Sequence, residues 1–178
     1  GFDRDVPFDL PGGVQSNFPE AIVDDPPLVA QASIGQNDVQ ATPLQMALVA
    51  AAVANDGVIM EPHVMSEIRD DQGNKVEEYD DAPFTQAMTP ETAGTLREAM
   101  ISVVTDGTAG RLDDGLDDFE VGGKTGTAQL GTPEPQSHAW IIGFAGPPGE
   151  TPHIAVAGLV EAQQGASEKT GGKVAERS

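Results

Sequence analysis

The 178-residue sequence has no cysteine, one Trp, one Tyr and 9 Lys and Arg set against 29 Asp and Glu. Without cysteine there are no disulfides and no thiolate metal sites, and the redox compartment is left open. The shortage of basic residues gives a formal charge of −20. Such a field repels phosphate backbones and anionic lipid head groups, so nucleic acid is excluded as a partner. No apolar run approaches the roughly 20 residues that span a bilayer, and Gly1-Phe2-Asp3-Arg4 does not resemble a secretion signal. Any membrane anchor or export signal is therefore expected upstream of this piece. A Ser-x-x-Lys motif is also missing at every serine, as is Ser-x-Asn, so no serine here qualifies as a nucleophile.

The acids that are present come in clusters, Asp70-Asp71, Glu77-Glu78 with Asp80-Asp81, and Asp113-Asp114 with Asp117-Asp118. Asp113-Asp114-Gly115-Leu116-Asp117 lacks the alternating oxygen ligands and closing Glu of a calcium loop, and the clusters read as solvated surface. His63, His138 and His153 stand apart, without the spacing of a zinc site. No metal and no cofactor is expected.

The 21 Gly and 14 Pro imply short elements separated by many turns. Residues 1–30, with five prolines, read as an irregular leading segment. Thr42-Pro43-Leu44-Gln45 predicts a helix start with Thr42 as cap, Pro43 at the first position and Gln45 closing a capping box. That helix is apolar all round, a buried core helix running to about Asn55, with Asp56-Gly57 as its stop. Residues 58–81 read as a β excursion around a turn at 70–74. Thr89-Pro90-Glu91 opens a second helix ending near Gly107, with Ala93, Leu96, Met100 and Val103 on its apolar face. Strands are predicted over 121–130, 138–145 and 154–162, joined by short links into an antiparallel meander. Lys173-Val174-Ala175-Glu176 reads as the first turn of a further helix.

One short motif fits a definite chemistry, Lys124-Thr125-Gly126-Thr127 after Gly122-Gly123. Lys-Thr-Gly is the third signature of active-serine enzymes that handle penicillin-like and D-alanyl-D-alanine substrates. Alone it is weak, because the triplet arises by chance in roughly one chain in twenty-five of this length. Its setting strengthens it, since it lies on a strand followed by the aromatic strand His138-Ala139-Trp140-Ile141-Ile142-Gly143-Phe144. The small flanking residues are expected to let a peptide approach the sheet edge, where main-chain groups pair with an added strand. A phosphate loop is ruled out, because Asp118 stands where its first glycine belongs. Trp140 is expected to pack against Phe144 or a helix, and His138 to serve as a structural hydrogen-bonding residue.

Several segments in order resemble the C-terminal part of the transpeptidase domain of a class B penicillin-binding protein of the actinobacterial type. They are Ser33-Ile34-Gly35-Gln36, Thr42-Pro43-Leu44-Gln45-Met46-Ala47, Ala54-Asn55-Asp56-Gly57, Asp106-Gly107-Thr108-Ala109, Gly123-Lys124-Thr125-Gly126-Thr127-Ala128, His138-Ala139-Trp140 with Gly143-Phe144-Ala145, and Thr170-Gly171-Gly172. The resemblance implies an α+β fold, an antiparallel sheet packed between helices, incomplete in this chain. Residues 1–178 would be the C-terminal portion of one transpeptidase domain, with the nucleophile-bearing part upstream. Lys124 and Thr127 carry the implied catalytic roles. Lys124 orients the upstream serine of the Ser-x-Asn motif and attracts the substrate carboxylate, while the Thr127 N–H supplies half the oxyanion hole. Thr125, Gly126, Thr127 and Gln129 form the implied substrate site. The implied partners are peptidoglycan stem peptides and β-lactams, at the extracytoplasmic face of a membrane reached through an absent N-terminal anchor. Edge-strand self-association is a further expectation. A serine β-lactamase and a non-catalytic β-lactam sensor or scaffold share the motif and are the competing implications.

Overall fold

The computed structural model describes residues 1–19, 22, 24–131, 136–162 and 171. The predicted turn at 173–176 lies outside these residues.

Helix α1 (Pro26–Ala32) replaces the end of the irregular stretch expected over residues 1–30. Its prolines occupy the first helical turn, where their missing N–H groups have no partner to lose, and the Asp25 side chain caps Leu28 N. Ahead of it the chain is pinned to the rest of the fold. Asn17 and Gln40 form a two-way backbone bridge, and Asp3 N donates to Ser16 O.

Helix α2 (Pro43–Ala54) starts as predicted, with the Thr42 hydroxyl accepting from Gln45 N at 3.1 Å. The capping box, however, is not closed by Gln45. The Thr42 N–H donates instead to the buried Ser16 hydroxyl at 3.0 Å, and the Gln45 side chain is buried with its amide against Gly1. At the other end Asp56 (φ 49°) and Gly57 (φ 85°) turn left-handed and stop the helix. An excursion follows in two antiparallel pairs. β1 (Val58–Met60) pairs with β4 (Pro83–Gln86), and β2 (Glu67–Arg69) pairs with β3 (Lys75–Glu78).

Helix α3 (Pro90–Thr105) is capped by Thr89. Its buried positions are Ala93, Met100 and Val104, and Leu96 is 40% exposed. The predicted face holds at Ala93, Met100 and Val103, and Val104 rather than Leu96 completes it against the sheet. Strands β5 (Glu120–Gln129), β6 (Ser137–Gly146) and β7 (Ile154–Val160) form the predicted antiparallel meander in the order β5-β6-β7.

Two cores clamp β5. On one face Ile142 and Phe144 pack with Ala50, Val53 and Ala54 of α2 and Met100 of α3. On the other, Val121 packs with Val104 and Ala109, flanked by Leu112, Leu116 and Ala145. The glycines before Lys124 belong to this clamp rather than to an approaching peptide. A side chain at Gly122 would overlap the Phe144 ring, and one at Gly123 would meet the Leu112 methyl and stand 3.5 Å from Val104. Both glycines are buried, so their smallness serves the interior.

Candidate active site

The motif occupies the second half of β5, beyond the clamp, where burial gives way to exposure at Lys124 and Thr127. Lys124 is the one Lys or Arg in the three strands. Its ammonium donates to the Thr125 carbonyl at 2.5 Å.

That bond fixes which way the main chain points. In an antiparallel ladder the N–H and C=O of one residue face the same neighbour, and successive residues alternate. Thr125 C=O faces Lys124 and not β6. Leu130 N, at an even position, donates towards the returning strand through Gln136 O. Even positions of β5 therefore pair with β6, and the N–H of Thr127 points to the outer edge, which has no strand partner among the described residues. The side chains of Thr125 and Thr127 share one face by the same two-residue period. The Thr125 hydroxyl is 2.8 Å from the Thr108 hydroxyl, and the Thr127 hydroxyl accepts from Gly171 N at 3.3 Å. Gly126 stands opposite Trp140 in the register, and a side chain at Gly171 would overlap the backbone of this pair.

Lys124, Thr125, Gly126 and Thr127 thus form one continuous stretch of strand edge. Gln129 is the last residue of β5, exposed, opposite Ser137, on the same face as the two threonines. Beside Thr127 opens an apolar cavity of about 420 Å³, walled by Gly126, Ala128, Trp140, Met46, Val49 and Phe18 among others. Trp140 shares that wall with Met46 and Val49 of α2, rather than joining the Phe144 cluster. His138 holds a structural bond, its Nδ1 accepting from Ala162 N at 3.0 Å. Among the described residues no cluster of His, Asp and Glu is arranged to hold a metal, and no helix is long and apolar enough to cross a membrane. The sequence reading gave no role to Thr108. Periodicity carries no sign of it, and the only pointer was its place in the Gly107-Thr108-Ala109 segment.

The penicillin binding protein transpeptidase domain family matches residues 1–178 in full. The chain belongs to that family. It is 35% identical to the peptidoglycan D,D-transpeptidase PbpA of Mycolicibacterium smegmatis, over 98% of this chain and 35% of that protein. To the peptidoglycan D,D-transpeptidase MrdA of Acinetobacter baumannii it is 34% identical, over 72% of this chain and 20% of that protein. Among solved structures, the D,D-transpeptidase domain from Eggerthella lenta superposes with a TM-score of 0.77 at 30% identity, covering 99% of this chain and 43% of that one. The penicillin G acyl-enzyme complex of Mycobacterium tuberculosis penicillin-binding protein A superposes with a TM-score of 0.73 at 32% identity, covering 98% and 38%. The chain therefore has the α+β fold of these transpeptidase domains and spans about a third of the length of its mycobacterial relatives.

Proposed function

We propose that this chain is the part of a peptidoglycan D,D-transpeptidase that lies downstream of its nucleophilic serine and supplies the wall that grips the substrate terminus. The observation that carries the reading is the Lys124–Thr127 edge. One cation, two hydroxyls on one face and an outward main-chain N–H lie within four residues, in a chain of the transpeptidase family.

The chemistry follows from those groups. A D-alanyl-D-alanine stem peptide lies along the outer edge of β5 as an added strand. Its terminal carboxylate accepts from the hydroxyls of Thr125 and Thr127 and is attracted by the Lys124 ammonium. The scissile carbonyl oxygen sits at the Thr127 N–H, paired with a second N–H from the nucleophile's own residue. The serine oxygen attacks the carbonyl carbon, the peptide bond to the last D-alanine breaks, and the leaving amine takes up a proton. An amine of a neighbouring stem peptide then attacks the serine ester and regenerates the hydroxyl. A β-lactam stops at the ester, because its leaving group stays tethered. Lys124 also orients the upstream serine of the Ser-x-Asn motif, and Gln129 extends the peptide contact along the edge.

The whole protein would work at the extracytoplasmic face of the membrane, held by an anchor upstream. The outer edge of β7, unpaired among the described residues, awaits an upstream strand in the full domain. In the isolated chain that edge is open to self-association, which scattering at rising concentration measures.

The test is acylation of the full-length protein by a fluorescent penicillin. Labelling is expected, with loss on replacing the upstream serine, and Lys124→Ala is expected to slow acylation about 100-fold or more. A Lys124→Ala variant that labels at the wild-type rate would falsify the assignment of the edge. A covalent adduct on the 178 residues alone would refute the upstream placement of the nucleophile.

A further inference from the structure

The motif places a hydroxyl at Thr125, but a hydroxyl has a single hydrogen, and what that hydrogen does depends on its neighbour. The neighbour is Thr108, whose Oγ1 lies 2.8 Å from Thr125 Oγ1, a full-strength O–H···O distance in which either oxygen can donate.

We propose that Thr108 is a positioning residue that donates to Thr125 and thereby turns the Thr125 hydrogen towards the substrate carboxylate. The inference rests on the functional reading above, since it needs a carboxylate at that edge. A carboxylate only accepts. Once Thr125 donates to it, the Thr108–Thr125 bond survives only with Thr108 as donor, giving a chain Thr108 → Thr125 → carboxylate in which each bond polarises the next. Thr127 has the same service from a fixed donor. Its hydroxyl accepts from Gly171 N, which leaves its own hydrogen free for the substrate.

The fold holds Thr108 for this purpose from both sides. A side chain at Gly107 would come within 2.7 Å of Val103 O and 2.8 Å of its Cα, so only glycine lets the chain hug the last turn of α3 as it leaves. Ala109 is fully buried beside Val104 and Val121, and its N–H donates to Val103 O at 3.1 Å. Leu112 N then donates to Ala109 O at 2.9 Å. Thr108 itself is exposed and contributes nothing to either core, yet the backbone on each side of it is anchored. Its hydroxyl reaches 17 residues along the chain to bond with the motif.

The experiment compares the full-length wild-type protein with Thr108→Val and Thr108→Ser, reading the second-order acylation rate constant for benzylpenicillin and for its uncharged methyl ester. Thr108→Val is expected to lower the benzylpenicillin constant about three- to tenfold, the effect of one lost hydrogen bond, and Thr108→Ser to restore it to within about twofold. The methyl ester, which offers no carboxylate, is expected to react equally with all three proteins. An unchanged constant for Thr108→Val overturns the proposal. So does an equal fall for acid and ester, the mark of general distortion, or failure of serine to restore the rate. Absence of any acylation in the wild-type protein overturns the functional reading itself and this inference with it.

Discussion

Gly122→Ala tests whether the motif strand is placed by its contact with Phe144. A methyl built on Gly122 overlaps Cζ of the ring and lies 2.7 Å from Cε1 and Cε2. Phe144 is 2% exposed and clustered with Ala50, Val53, Ala54, Met100 and Ile142, so a swing of the ring runs against packed neighbours. The methyl must therefore displace either the ring or β5, and overpacking of this kind costs about 1–3 kcal/mol. Phe144→Ala alone removes the ring and costs about 3–5 kcal/mol. In the double variant the methyl enters the space the ring has left, so Gly122→Ala becomes nearly neutral and the two changes couple by about 1–3 kcal/mol. Denaturant unfolding of the intact transpeptidase domain, as wild type, two singles and the double, gives the cycle. Simple additivity within about 0.5 kcal/mol would show that the glycine is there for another reason.

Two further outcomes follow from bonds far from the motif. Arg97 of α3 donates to the last carbonyls of α2, Ala54 O at 2.6 Å and Val53 O at 3.4 Å, so Arg97→Ala is expected to destabilise by about 1–3 kcal/mol. Its partner Asp56 is 70% exposed, so Asp56→Asn should change stability by less than about 0.5 kcal/mol; a larger loss for Asp56→Asn than for Arg97→Ala would reverse the assignment. The Asp9 carboxylate accepts from the N–H of Met65, which together with Val64 N holds its pKa below the ordinary 3.8. Because the folded state favours the charged form, this attachment is complete above pH 3.8 and is lost as the pH falls through the lower folded value. The amide resonance of Met65 should titrate with a midpoint below 3.8, and a midpoint at or above it would contradict the bond.

Much of this architecture can be read from the chain because local chemistry and tertiary structure agree. The Thr-Pro starts of α2 and α3 carry their own caps, and the short links after Gln129 and Gly146 leave antiparallel pairing as the natural outcome. Where the reading fell short, the deciding contacts are remote in sequence. Pro26-Pro27 looks like a break until Asp25 is seen capping it, and Pro83 hides β4 in the same way. Gln45 is drawn into the interior because Ser16, 26 residues from Thr42, takes the N–H that a capping box assigns to it. At the site, alternation along a strand is enough to place two hydroxyls on one face. The ring behind Gly122 and the hydroxyl beside Thr125 come from other elements, and no local pattern announces them.

The alternation of β5 has a consequence for how such a strand can change over time. Which face the hydroxyls take and which edge the Thr127 N–H takes are set by the same even separation from Val121. Deleting one of the clamped glycines ahead of Lys124 would invert both together, turning the hydroxyls to the opposite face and locking the N–H into the ladder. Length variants upstream of the lysine are therefore tolerable only in steps of two.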